Sequence, residues 1–154
     1  MARPDHDVAN VLLDLLDVQY SWSVGKPDTI RLQTEDESGR PTKGVDANVS
    51  EYILIAETGT RDPEWNGART VRDDSNQASF EFATTESRAR REEVYRELNQ
   101  IAEDVRDRRE ASKNGLSIGG WDTLDFSMTA PDEEIFNYWT IEGTVRFDST
   151  ARSP

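Results

Sequence analysis

The chain has no cysteine, which excludes disulfide frameworks, thiolate metal sites, cysteine nucleophiles and thiol redox switches. Histidine occurs once, as His6, so no multi-histidine metal site can be assembled. Lysine is nearly missing as well: among 18 basic residues only Lys26, Lys43 and Lys113 are lysines, and the rest are arginines. No apolar run approaches the ~20 residues of a membrane span, and the first residues lack a signal peptide's basic and apolar regions. These absences predict a soluble chain without membrane contact, outside the general secretion pathway.

At 154 residues the chain suits one domain, read here as residues 1–154, with a self-sufficient core. Asp and Glu number 31 against 18 Lys and Arg, a formal charge of −13. A groove-reading nucleic-acid binder needs a basic stripe that displaces phosphate counterions, and this balance runs the other way. Scarce lysine with abundant carboxylate resembles the composition of haloarchaeal proteins. At ~1 M salt the Debye length shrinks to roughly 3 Å, so a carboxylate-rich surface repels itself little.

Clear periodicities argue against disorder. Val8, Val11, Leu12, Leu15 and Leu16 predict a helix over 5–18, with Asp5 or Asp7 capping its start. Leu13 breaks this pattern and is read as exposed or set against a partner. A strand is predicted at 29–34, and 35–49, with Gly39, Pro41 and Gly44 among charges, reads as an exposed loop or hairpin tip. The apolar run 52–56 reads as a central strand covered on both faces. Residues 57–77 have no periodicity and are read as a long irregular loop. Phe80 and Phe82 alternate within a strand at 78–84. Val94, Leu98, Ile101 and Val105 place one apolar stripe on a long helix from 84–87 to about 112. Strands at 123–130 and 135–149 close the chain, and 150–154 reads as a frayed tail. The order α-β-β-β-α-β-β predicts an α+β domain: a mostly antiparallel sheet packed by two helices in two layers.

No catalytic constellation emerges. Asp73-Asp74 and Glu133-Glu134 are sequence neighbours that a strand would point to opposite faces. Asp5-His6-Asp7 suits a helix cap better than a metal, and Asp132-Glu133-Glu134 lacks calcium-loop spacing. Ser117-Ile118-Gly119-Gly120 has no phosphate-loop pattern. The chain is therefore read as a non-enzyme with no cofactor and no metal.

Its candidate interface residues are Arg61, Asp62, Trp65, Arg69 and Arg72 in the 57–77 segment, with Arg88 and Arg91 at the start of the long helix. Trp and Arg are enriched at binding hot spots. Trp65 would anchor, the loop arginines would pair with a neighbour's carboxylates, and Arg88 and Arg91 would serve salt bridges or an interface. Trp121 is assigned to the core.

The element order resembles that of tail terminator proteins of long-tailed phages and related archaeal viruses. The stretch Phe80-Glu81-Phe82-Ala83-Thr84-Thr85-Glu86-Ser87-Arg88 carries it locally: a strand ending in threonines runs into an arginine-rich helix start. Arg91-Glu92-Glu93-Val94 continues that helix, and Tyr138-Trp139-Thr140-Ile141-Glu142-Gly143-Thr144-Val145 is similar to the family's final strand. The resemblance implies a structural virion protein. It would form a six-membered homo-oligomeric ring on the head-proximal end of the tail tube, contacting tube and neck proteins, while DNA passes the lumen without specific binding. Together with the acidic, lysine-poor composition it implies a haloarchaeal virus as the source, with assembly in the host cytoplasm. The alternatives are another neck or connector ring, or a small ligand-binding or enzymatic α+β domain with a pocket between sheet and helices.

Overall fold

The spacing of Val8, Val11 and Leu12 forms helix α1, Val8–Asp14, in the computed structural model, which describes residues 7–35, 41–42, 50–60, 64–65 and 71–152. Asp7 caps it by accepting from the Asn10 backbone N–H at 3.4 Å. A single π-helical turn, Leu15–Gln19, then widens the coil, closed by the Tyr20 N–H on the Leu15 carbonyl at 3.0 Å. This keeps Leu15 and Leu16 on the buried face. Leu13 is partly buried and packs against the same core, which corrects its reading as exposed or set against a partner.

One mixed sheet forms the second layer, with strand order β1-β4-β6-β8-β7. Its members are β1 Thr29–Leu32, β4 Glu51–Thr60, β6 Val71–Thr84, β7 Thr123–Thr129 and β8 Trp139–Arg152. Only β1 and β4 run parallel. The two-residue strands β2, Thr34–Glu35, and β3, Pro41–Thr42, pair with each other. The short β5, Glu64–Trp65, continues the lane of β4 along β6. Helices α2, Arg88–Asp104, and α3, Arg108–Lys113, complete the domain. The fold is thus α+β with a mostly antiparallel sheet, in the expected order.

Alternation along the strands decides which face is covered. Ile53, Phe82 and Ile141 lie in one row across the sheet, and Ala78 and Val145 share another with Phe126. These side chains meet Val8, Leu12, Leu16, Val94, Leu98 and Ile101 of the helices in a single core, with Trp121 fully buried in it. Gly143 lies opposite Phe80, whose ring would overlap any Cβ placed there. Glycine is required at that position because the aromatic ring lies flat across the strand.

Four segments depart from the sequence reading. Residues 57–77 are not wholly irregular: β4 extends to Thr60 and β6 begins at Val71. Residues 150–152 are strand rather than frayed tail, because β8 continues beside that extension up to the pair Val71↔Arg152. Ladder hydrogen bonds hold these polar stretches, whose mixed composition shows no alternation. The long helix divides at Val105. There the Arg106 carbonyl accepts from the Leu124 N–H at 2.9 Å, and the Asp107 carboxylate caps α3 through the Glu110 N–H at 2.8 Å. Finally, β8 begins at Trp139, and 135–138 form a tight turn instead of strand.

Candidate functional site

All three helices join the core on one sheet face, and the other face carries none of them among the described residues. Its side chains form ordered rows. Tyr52, Ala83 and Thr140 make the first, with Tyr138 packed against Tyr52 at 5.8 Å between ring centroids. Arg31, Leu54, Glu81, Glu142 and Thr129 make the second. Ala56, Ser79, Thr144 and Ser127 make the third, and every one of them is small. This step from large to small side chains opens a groove of about 440 Å³ along the third row, with Gln33 of the β1 side at its rim.

The electrostatics of this face are unbalanced. Glu81 and Glu142 stand directly opposite each other, an unfavourable pairing for like charges, with Glu81 accepting from the Tyr52 hydroxyl at 3.1 Å. Arg31 sits beside Leu54, and its Nε and Nη2 are buried without a hydrogen-bond partner. Thr140 Oγ1 is in the same condition. Among the described residues, the buried side-chain nitrogen and oxygen atoms left unpaired all belong to these two residues. Unpaired buried polar groups are costly.

Next to this face the chain turns back between β7 and β8. Ile135 and Tyr138 exchange backbone hydrogen bonds of 2.8 and 3.0 Å, leaving Phe136 and Asn137 as a two-residue turn. Both have positive φ, 50° and 69°, the type I′ arrangement that favours Asn-Gly. A phenylalanine in this left-handed region is strained, yet here it stands 90% exposed at the tip. Two consecutive residues pin the base of the turn from opposite sides. Tyr138 packs on Tyr52 over the open face, while Trp139 lies under the guanidinium groups of Arg91 and Arg88, at 5.3 and 5.9 Å. Arg91 also donates to the Pro131 carbonyl, and Arg88 pairs with Asp132.

These contacts place two of the sequence candidates. Arg91 is 1% exposed and bonded to Glu92 at 2.7 Å, so it serves the internal clamp and is not available on the free surface. Arg88 is exposed but already paired. Trp65 and Arg72 are backbone register partners in the β5–β6 ladder. Arg61, Asp62 and Arg69 lie outside the described residues, as does His6. Sequence reasoning missed Phe136 and Arg31, because 135–138 looked like the start of a strand and one arginine in a strand carries no pattern.

The remaining buried polar groups are satisfied and read as structural. Glu97 accepts from the Ser23 backbone N–H at 2.7 Å and the Ser23 hydroxyl at 2.6 Å, tying the β1 approach to α2. Burial, the Glu97 and Asp104 charges and a hydrogen bond to Glu97 push the nearby Tyr20 hydroxyl from 10.0 up to about 12. Arg90 bonds Glu51 at 2.6 and 2.9 Å, and chiefly through these bonds is held more firmly protonated than a free arginine. Glu51 in turn accepts from Thr84 at 3.0 Å. Among the described residues no three His, Cys, Asp or Glu side chains group as metal ligands. No helix among them is long and apolar enough to cross a membrane. No family model matches the chain, and no curated protein matches it at a significant level.

Proposed function

We propose that this chain is a structural ring subunit of the tail terminator type, six copies of which cap a viral tail tube at its head-proximal end and join it to the neck. The observation that carries the reading is the one-sidedness of the sheet. A ring subunit needs two unlike surfaces, one for each neighbour, with closure set by the rotation between them. A sheet face that no helix among the described residues covers and an exposed turn elsewhere on the chain meet that need. The element order is that of the family the sequence resembles. The charge of −13 adds a further property: a lumen of like charge lets DNA slide through unbound. It also suits a particle assembled at high salt, where repulsion between acidic subunits is screened. Another neck or connector ring would use the same surfaces and differ only in its partners. Electron micrographs of the purified chain in molar salt test the reading. Class averages with six-fold rings are expected, and a field of single globular particles would refute it.

A further inference from the structure

We infer that the sheet runs on from one subunit to the next, the edge of β7 pairing antiparallel with the edge of β1 on a second copy of the chain. This inference rests on the ring reading above and names the backbone contact between neighbours. β1 and β7 end the strand order, and among the described residues neither has a strand beyond it. An open edge presents unpaired N–H and C=O groups that template another strand, and proteins commonly blunt it with Lys, Pro or a bulge. β7 carries neither residue between Thr123 and Thr129, and its register along β8 is unbroken.

The two edges match each other, which selects a second copy as the partner. Their directions agree first. β1 and β4 run parallel and each later neighbour reverses, so β7 runs opposite to β1. Copies related by rotation about an axis along the strands keep these directions, so β7 meets its neighbour's β1 in the more stable antiparallel sense. The outward backbone groups also agree. The Leu124 N–H points away from β8 onto the Arg106 carbonyl at 2.9 Å, so by alternation Phe126 and Met128 turn their N–H and C=O outward as well. In β1 the Gln33 N–H bonds the Ile55 carbonyl at 2.8 Å on the β4 side, so Ile30 and Leu32 face out. Among the described residues no other backbone group takes these up. The side chains of Ile30, Leu32, Phe126 and Met128 are all half-buried at the rim of the core, and set opposite one another they carry its apolar layer across the joint. Finally, the lengths agree. Arg106 occupies the lane beside Leu124, and Pro131 follows the strand, which leaves 126–129 for pairing. β1 is four residues long, with Pro27 just before it. One register satisfies every group: Leu32 opposite Phe126, Arg31 opposite Ser127, Ile30 opposite Met128 and Thr29 opposite Thr129. It sets no like charges against each other. Because the two edges differ, the contact is heterologous, as a ring demands.

The cysteine-free sequence makes a clean test. In this register Thr29 and Thr129 form a non-hydrogen-bonded pair, with Cα atoms about 4.5 Å apart and within disulfide reach. Thr29→Cys and Thr129→Cys chains are prepared separately, mixed in molar salt and oxidised. Disulfide-linked heterodimer should exceed both homodimers. Hydrogen exchange on the unaltered chain supplies a second readout. The amides of Ile30, Leu32, Phe126 and Met128 should exchange fast in the low-salt monomer and become protected in the assembled particle, while Ser127 and Thr129, already bonded to β8, should change little. If the parent chain forms rings but the Thr129→Cys homodimer predominates, no heterodimer forms, or those four amides stay unprotected, the edge contact is wrong while the ring reading stands. If the parent chain stays monomeric at every salt concentration, both fall.

Discussion

Arg88 and Arg91 lie one helical turn apart in a run of charges, and nothing local tells them apart. Arg91 is buried because Trp139, far along the chain, lies over its guanidinium, and Arg88 stays outside with Asp132. A buried arginine needs a specific acceptor and a flat neighbour, and one sequence shows neither. Apolar residues are easier: Leu98, Ile101 and Trp121 are fully buried, as their spacing or assignment predicted. Tyr20 gives a test at this scale. Its pKa is raised in the fold from 10.0 to about 12, so the folded chain holds the phenolic proton more tightly than the unfolded one. Its stabilising contribution is complete below pH 10 and is lost as pH rises toward 12. Melting temperature should fall through that window, and Tyr20→Phe should lessen the fall. A Tyr20→Phe chain with the same alkaline profile as the parent would contradict the assignment.

At the scale of elements, legibility followed burial. α1 and β1 were readable because one face of each meets the core, and the apolar half of β4 because both of its faces are buried, as its continuous apolar run predicted. The polar extensions of β4, β6 and β8 were not, since backbone pairing alone holds them and no alternation is required. The division between α2 and α3 was readable only in part. Val105 completes the stripe, so periodicity runs on, but Asp107 followed by Glu110 has the spacing of a capping pair at a new helix start. Asp107→Ala removes the side chain that holds the Glu110 N–H, and should cost about 1 kcal/mol of stability in a denaturant titration, the usual size of a lost cap. No measurable change would mean that the α3 start is held by the backbone pairing of 106–108 with 122–124 alone.

Over the whole molecule, the helices cover one face of the sheet and the turn at 135–138 projects from its end. The sequence carried the two-layer order but hid the face that no helix among the described residues covers, because strand alternation there mixes Ser, Thr, Glu and Tyr. In the proposed ring, assembly would work against the subunits' own charge. At −13 per chain, repulsion between neighbours is long-ranged in dilute buffer, and molar salt shortens it to about 3 Å. Apolar burial, by contrast, strengthens with salts that are excluded from the protein surface. The two effects push in the same direction. Light scattering coupled to size exclusion, run from 0.1 to ~3 M salt, therefore tests the central claim most directly. The account predicts a particle of six times the 17.5 kDa chain mass at molar salt, dissociating as salt is lowered. A mass of one chain throughout the series would contradict it.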